Sequence, residues 1–307
     1  MQAAAPSIAP DEVLVDVEAA GVNYVDVYQR NGAVDYLTPP FTPGFEGVGN
    51  VVALGENVLD LKVGDRVAWI NALGSYAEQI SLPVAQAIRV PQSFSTDQAL
   101  LFQAVTAQYL VTEYADIREG SVVLVHAAAG GVGQFLVQWL KHLGAVVIGT
   151  ASTAEKLNTI QSLGADHVVN YATHSFLEEV MRLTEGRGVD VVYDAVGKTT
   201  FSDSVKALAP RGIAVAYGQA SGVAPDVQVY PLILKGARVA GGSIFTYILD
   251  ADEMQARAAA AIGGITDGWL RPLPTTHFAL KDAAAAHTAI ESRGTQGKLA
   301  ITMAIPT

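Results

Sequence analysis

The 307-residue chain contains no cysteine. That excludes disulfides, thiolate metal sites and a cysteine nucleophile, and it leaves the redox compartment open. Positive charge is scarce: 19 Lys and Arg stand against 30 Asp and Glu, for a formal net charge of -11. Such a surface repels a phosphate backbone and no basic run offsets it, so nucleic acid is not an expected partner. Long apolar runs are missing too. None approaches the roughly 18 residues of a membrane-spanning helix, and the opening stretch Met1–Glu12 has neither a basic n-region nor an apolar h-region. The expectation is a cytoplasmic protein with no membrane partner. The six histidines show no HxH or HExxH spacing, so no metal site is expected. A serine-hydrolase elbow, G-x-S-x-G, is also missing.

What is present is apolar sequence in a regular rhythm. Half the residues are hydrophobic, enough for one large or two medium domains with their own cores. Up to about residue 98 the pattern is β-rich, with short runs at Glu12–Glu18, Gly47–Ala53, Asp65–Trp69 and Tyr76–Ile80 separated by Gly and Pro. A helix is predicted from Asp97 to about Tyr114. Strands and helices then alternate, with strands at Val122–Val125, Val146–Thr150, His167–Asn170, Val189–Tyr193 and Ile213–Tyr217. Fully apolar strands separated by helix-length segments predict a doubly wound parallel sheet covered on both faces. After Gly236 follow a strand at Ala237–Ala240, helices at Ala251–Ile265 and Lys281–Ser292, and a closing strand at Lys298–Met303. The apolar run Ala237–Ile244 suits pairing across a two-fold axis, which predicts a homodimer.

The stretch Ala127–Gln134, AAAGGVGQ, sits where the first parallel strand gives way to a helix. It is a dinucleotide fingerprint with Ala127 in place of the first glycine. Gly130, Gly131 and Gly133, with Val132 between them, let backbone approach a pyrophosphate at a helix N-terminus. At the end of the second strand, where NAD enzymes carry an acid for the ribose 2′-hydroxyl, the chain reads Gly149-Thr-Ala-Ser-Thr-Ala-Glu-Lys156. Hydroxyls, Ser152 among them, and Lys156 suit a 2′-phosphate, so NADPH is favoured over NADH. Glu155 is expected to point to solvent from the first helical turn.

These residues, together with Ala20-Gly-Val-Asn-Tyr-Val-Asp26, Pro43-Gly-Phe-Glu-Gly47, Val63-Gly-Asp-Arg-Val67, His126–Gly133, Leu163-Gly-Ala-Asp166, Val192-Tyr-Asp-Ala-Val-Gly197 and Ser292-Arg-Gly-Thr-Gln-Gly-Lys298, resemble the medium-chain dehydrogenase/reductases, and specifically the zeta-crystallin-like quinone oxidoreductases. The resemblance covers almost the whole chain. It implies an α/β fold in which a doubly wound Rossmann domain, residues 101–242, is inserted in a β-rich GroES-like catalytic domain, residues 1–100 and 243–307. The site is then expected in the cleft between the domains, at the carboxyl ends of the parallel strands. It also implies a β-hairpin ahead of Val13 that this chain does not carry, a lack expected to bare a sheet edge.

The zinc-dependent relatives place a Cys where this chain has Asn23 and a His where it has Phe45. Glu46 alone does not assemble the three-ligand site that catalytic zinc needs. The four-cysteine structural lobe is absent as well. The resemblance thus implies hydride transfer from NADPH to an acceptor needing no Lewis acid, a quinone or an activated alkene. It places Asn23, Tyr24, Asp26 and Tyr28 in the nicotinamide-facing loop, Thr106 on the domain-joining helix, and Ser152, Lys156, Tyr171 and Arg293 around the 2′-phosphate. Val196 and the loop Gly218, Gln219, Ala220 fall beside nicotinamide and ribose, and Tyr247 over the substrate. Asn23, Tyr28, Thr106 and Tyr247 are the orienting candidates for catalysis; Arg293 equally suits a helix C-terminal cap. Bacterial relatives often read Arg-Pro-Ser where this chain has Gly241-Gly-Ser243, which removes a cation and adds backbone freedom. No general acid of matched pKa is evident, so the proton is expected from water or a site hydroxyl. The rival readings are a 2-alkenal or enoyl reductase and a non-catalytic, crystallin-like NADPH-binding protein.

Overall fold

The computed structural model describes residues 6–33, 37–292 and 294–303. The chain divides into two compact units, one formed by residues 1–102, 248–263 and 272–307, the other by 103–247 and 264–271. Residues 264–271 thus group with the second unit, which the expected partition did not anticipate.

The first unit is built on a seven-stranded sheet. Its elements are β1 (Glu12–Val22), α1 (Tyr24–Arg30), β2 (Glu46–Leu54), β3 (Arg66–Trp69), β4 (Gln79–Pro83), β5 (Ile88–Arg89) and α2 (Thr96–Ala99). β1 alternates Val13, Val15 and Val17 inward against half-exposed or exposed neighbours, the period-two pattern of a half-buried strand. It is an interior strand, antiparallel to β2, to β4 and to the closing strand of the chain. The expected bare edge is therefore not at β1. Its core gathers Val15, Val51, Val67, Trp69, Leu82 and Ile301.

The helix expected over Asp97–Tyr114 is two helices. α2 ends at Leu100, whose extended backbone (ψ 96°) turns the chain, and α3 (Phe102–Glu113) begins afresh. Leu100 and Leu101 are both buried, so the apolar period runs through the break while the backbone does not.

The second unit carries β6 (Val122–Val125), α4 (Gly131–His142), β7 (Val146–Ala151), α5 (Ala154–Ser162), β8 (His167–Asn170), α6 (Phe176–Leu183), β9 (Val189–Asp194), α7 (Phe201–Lys206), β10 (Leu208–Ala216), α8 (Val229–Lys235) and β11 (Arg238–Gly241). The six strands are all parallel, in the order β11-β10-β9-β6-β7-β8. The order reverses at β6, so the loops after β6 and β9 diverge and leave a crevice at the carboxyl ends of the strands. Thr153 and Ser175 cap α5 and α6 with side-chain oxygens, whereas α4 begins at Gly130 with no side-chain cap. The remaining elements are α9 (Ala251–Thr266), β12 (Thr275–Ala279), α10 (Ala283–Glu291) and β13 (Lys298–Thr302), and β12 extends the first sheet parallel to β13.

Candidate functional site

In the second unit the turn after β6 is stripped of side chains where the chain doubles back. A Cβ on Gly133 would lie 2.4 Å from the Ala127 carbonyl oxygen and 2.7 Å from Ala128 Cα, so only glycine lets α4 close on the strand end. Ala127, standing where the fingerprint has glycine, takes a left-handed φ of 50°, a conformation that costs an alanine about 1–2 kcal/mol. The result is an uncapped helix N-terminus whose first N–H groups have no intrahelical acceptor, next to Gly130, Gly131 and Val132. A Cβ on Gly131 would meet the Gln103 side chain at 2.3 Å, and Gln103 Oε1 is buried with no hydrogen-bond partner among the described residues. An unsatisfied buried polar atom beside an uncapped helix start fits a phosphate-bearing ligand with hydroxyl donors.

The 2′-phosphate candidates converge on the next two strand ends. Ala151 pairs with Asn170 across β7 and β8, and the Tyr171 N–H donates to the Ala151 carbonyl at 3.1 Å. Ser152 and Tyr171 therefore leave adjacent strands side by side, and Lys156 follows one turn into α5. Arg293 lies outside the described residues. On the other side of the crevice, Asp194 accepts the N–H groups of Val196 (2.8 Å) and Gly197 (3.0 Å), while Ala220 N–H donates to Ala195 and Ser221 N–H to Val196. A Cβ on Gly218 would come within 2.8 Å of the Ala195 carbonyl. Val196 and the loop Gly218–Gln219–Ala220 are thus stitched together at the ends of β9 and β10.

A buried polar chain underlies these loops. Ser204 donates to Asp194 at 2.8 Å, so its oxygen takes the Nε2–H of His126 (3.1 Å), whose Nδ1 then accepts from Thr150 (3.0 Å). Burial lowers the His126 pKa, with Asp194 pulling the other way. Ser204, His126 and Asp194 are completely buried and the serine sits between the other two, so the trio joins strand ends and presents no nucleophile.

Among the remaining second-unit candidates, Thr106 is buried on α3. Tyr247 stacks on Tyr109 with ring centroids 4.9 Å apart and its hydroxyl donates to Tyr114 at 3.3 Å. Gly242 makes room for this cluster: a Cβ there would meet the Tyr109 hydroxyl at 3.1 Å and that of Tyr114 at 3.3 Å.

In the first unit, Asn23 caps α1, and its Nδ2 donates to Glu46 Oε2 at 2.9 Å. Tyr24 donates its hydroxyl to the Ile290 carbonyl at 3.0 Å, and its ring lies 6.0 Å from that of Tyr28. Glu46, fully buried, also accepts the Phe102 N–H (2.9 Å) and Lys298 Nζ (2.6 Å). The Glu46–Lys298 pair has no local signature, because 252 residues separate its members. At the positions where the zinc-dependent relatives have ligands, this chain has an amide that donates to Glu46 and a phenyl ring, and the carboxylate is neutralised by lysine. That donor set does not fit zinc, and among the described residues no group of three or more His, Asp or Glu could hold a metal.

Two family descriptions match the chain: an alcohol dehydrogenase GroES-like domain over residues 9–92 and a zinc-binding dehydrogenase over 131–261. A 2-haloacrylate reductase from Burkholderia sp is 38% identical over 302 residues, covering 95% of this chain and 91% of its own. A quinone oxidoreductase from Pseudomonas aeruginosa is 38% identical, covering 94% and 90%. The crystal structure of Escherichia coli quinone oxidoreductase complexed with NADPH superposes with a TM-score of 0.93 at 33% identity, covering 98% of this chain and 94% of that one. With both folds, the strand-end loops and the separated motifs in agreement, the chain belongs to the medium-chain dehydrogenase/reductase superfamily, among its quinone oxidoreductase-like members.

Proposed function

We propose that the protein reduces a quinone with NADPH, with an activated alkene as the alternative acceptor. The observation that carries the reading is the convergence of Gly130–Gly133, Ser152, Lys156, Tyr171, Val196 and Gly218–Ala220 on the carboxyl ends of five adjacent parallel strands. Bound there, NADPH supplies a hydride. The α4 N-terminus would hold the pyrophosphate, and Ser152, Lys156 and Tyr171 the 2′-phosphate, with Arg293 as a further candidate. Val196 and Gly218–Ala220 would flank the nicotinamide ribose. Asn23, Tyr28, Thr106 and Tyr247 are proposed to orient the reactants, so catalysis consists mainly of positioning. Since the donor set at Asn23, Phe45 and Glu46 does not fit zinc, the acceptor must be electrophilic on its own, as quinones and activated alkenes are.

A cytoplasmic homodimer is proposed. Among the described residues no helix is long and apolar enough to cross a membrane. Among the described residues β11 is an edge strand, and the neighbouring α8 exposes Tyr230, Ile233 and Leu234 at 67–71%. Light scattering should give twice the chain mass, and Ile233→Asp with Leu234→Asp should return it to one.

The test of function follows the loss of NADPH and NADH absorbance with a benzoquinone, a polycyclic quinone and a short alkenal. Oxidation by quinones, faster with NADPH, is expected. Oxidation by the alkenal alone moves the assignment to an alkenal reductase, and tight NADPH binding without turnover refutes the enzymatic reading.

A further inference from the structure

Gln103 is the second residue of α3 and the first of the second unit, and it is 8% exposed. Its carboxamide turns a face to the start of α4: a Cβ on Gly131 would stand 2.3 Å from Cδ, 2.3 Å from Nε2 and 2.4 Å from Oε1. A side chain at 131 would displace the amide, so this glycine keeps Gln103 in place as well as clearing room for a ligand. Oε1 has no hydrogen-bond partner among the described residues. An amide oxygen only accepts, so what it lacks is a donor, and a buried acceptor left unmet destabilises the free protein.

Two independent features thus meet at one spot. The α4 N-terminus, with no side-chain cap at Gly130, suits an anion. Oε1 cannot take one, because the oxygens of a pyrophosphate carry no proton at neutral pH and only accept. A ligand that satisfies both therefore carries a hydroxyl beside its phosphate. In a dinucleotide the pyrophosphate has a ribose on either side, and the position of α3 selects between them. Tyr193 of β9 donates its hydroxyl to the Leu110 carbonyl at 2.9 Å, and a Cβ on Gly242, just past β11, would lie 3.1 Å from the Tyr109 hydroxyl. α3 is thus tied to the β9–β11 half of the sheet, from which Val196 and Gly218–Ala220 emerge. Ser152 and Tyr171 leave β7 and β8 in the other half.

We propose that Gln103 binds the nicotinamide-side ribose of NADPH, with Oε1 accepting one of its hydroxyls while the α4 N-terminus holds the pyrophosphate. This rests on the NADPH reading above. Thr106 follows three residues on, on the same face of α3, so the helix that grips the ribose also carries a residue proposed to orient the reactants. The contact fixes the cofactor between its phosphate and its reactive ring. In the free protein Gln103 is a liability, which an apolar side chain of the same size would remove; it is useful only when the ligand supplies the missing donor.

The test titrates the full chain calorimetrically with three ligands. NADPH and 2′-phospho-ADP-ribose both carry the second ribose; adenosine 2′,5′-bisphosphate ends at the first phosphate and lacks it. Gln103→Met deletes the polar atoms at nearly constant volume. It should weaken the two ribose-bearing ligands by about 10-fold each and leave the bisphosphate nearly unchanged. Without ligand the variant should melt at or above wild type, since the unmet acceptor is gone, while the rise in melting temperature at a fixed NADPH concentration should shrink. A structural role predicts the reverse: a lower melting temperature and equal losses on all three ligands. If Gln103→Met does not fold, wild type decides alone: of two 2′-phospho-ADP-ribose analogues, each lacking one of the terminal ribose's two ring hydroxyls next to each other, one should bind about 10-fold more weakly. Unchanged NADPH affinity in Gln103→Met, equal losses on all three ligands, a clear fall in the melting temperature of the free variant, or two deoxy analogues that bind like their parent overturn the assignment. A wild type that binds none of the three ligands overturns the NADPH reading instead, and the role of Gln103 falls with it.

Discussion

Replacing Lys298 by Met tests the buried centre of the first unit. The ammonium is 2% exposed, its partner Glu46 is completely buried, and they meet at 2.6 Å. Once the cation is gone, the carboxylate retains, among the described residues, the Asn23 amide and the Phe102 N–H, both at 2.9 Å. Breaking a buried pair from one side costs about 3–5 kcal/mol, because the surviving charge is left uncompensated. For a unit of this size that is a fall in melting temperature on the order of 10 °C. Glu46→Gln alone should be comparably harmful, since it strands the lysine. The double variant should recover much of the loss, because a neutral amide and a thioether bury without the charge. Thermal unfolding of the four proteins gives the coupling directly. The reasoning fails if Lys298→Met costs under about 1 kcal/mol, or if the two single losses simply add in the double variant. Gly21 supplies a steric control. A Cβ there would lie 2.0 Å from Glu46 Oε2 and 3.0 Å from Lys298 Nζ, so Gly21→Ala should disturb the same pair without altering charge.

Three further outcomes follow from the same geometry. Burial pushes the Asp26 pKa in the folded state up to about 7, against 3.8 for a free aspartate, so the folded state holds a proton that the unfolded state has released. Its contribution to stability is therefore present at acid pH and declines as pH rises from about 4 to 7, by up to about 4 kcal/mol. Asp26→Asn should flatten that part of the denaturation profile, and an identical pH dependence in the two proteins refutes the shift. Lys156→Glu should weaken NADPH by about 10- to 100-fold while sparing NADH, measured by fluorescence titration; an unchanged preference places the 2′-phosphate elsewhere. Gly133→Ala drives a Cβ into backbone at 2.4 Å and should cost about 1–3 kcal/mol together with NADPH affinity; a variant that melts and binds like wild type refutes the close packing of α4 on β6.

What could be read from the residues depended on how local the cause was. The strand Val122–Val125 was expected at the bounds it has, because a parallel strand covered on both faces writes itself as an apolar run; the edge strand His167–Asn170 also has the expected bounds, though only Val169 in it is buried. The glycine turn and the Ser152–Lys156 segment are equally local, since each is specified within a few residues of one strand end. The helix over Asp97–Tyr114 failed at Leu100 because its break answers to a distant group: the extended Leu100 frees the Phe102 N–H to reach Glu46, 56 residues away. α1 was missed although Asn23 and Asp26 form a capping box, a pattern legible in the sequence. β12 was missed because its parallel partner β13 lies across the whole of α10.

The chemistry divides along the same line. The proposed cofactor contacts come from consecutive residues and from strand ends that a βαβ rhythm brings into order. The raised pKa of Asp26 comes from burial, and burial is made by residues far apart in the chain. Tyr76 lies 50 residues from Asp26, and His287 lies 211 beyond Tyr76. No spacing rule links them, and an aspartate in the first turn of a short helix is ordinarily a capping residue. Only when the folded unit buries Asp26, with Tyr76 donating to its Oδ2 and His287 and Arg30 in series behind Tyr76, is the pKa of the same side chain pushed up to about 7. In this protein the proposed grip on the cofactor is thus written locally, while the raised pKa of Asp26 is a property of the folded first unit as a whole.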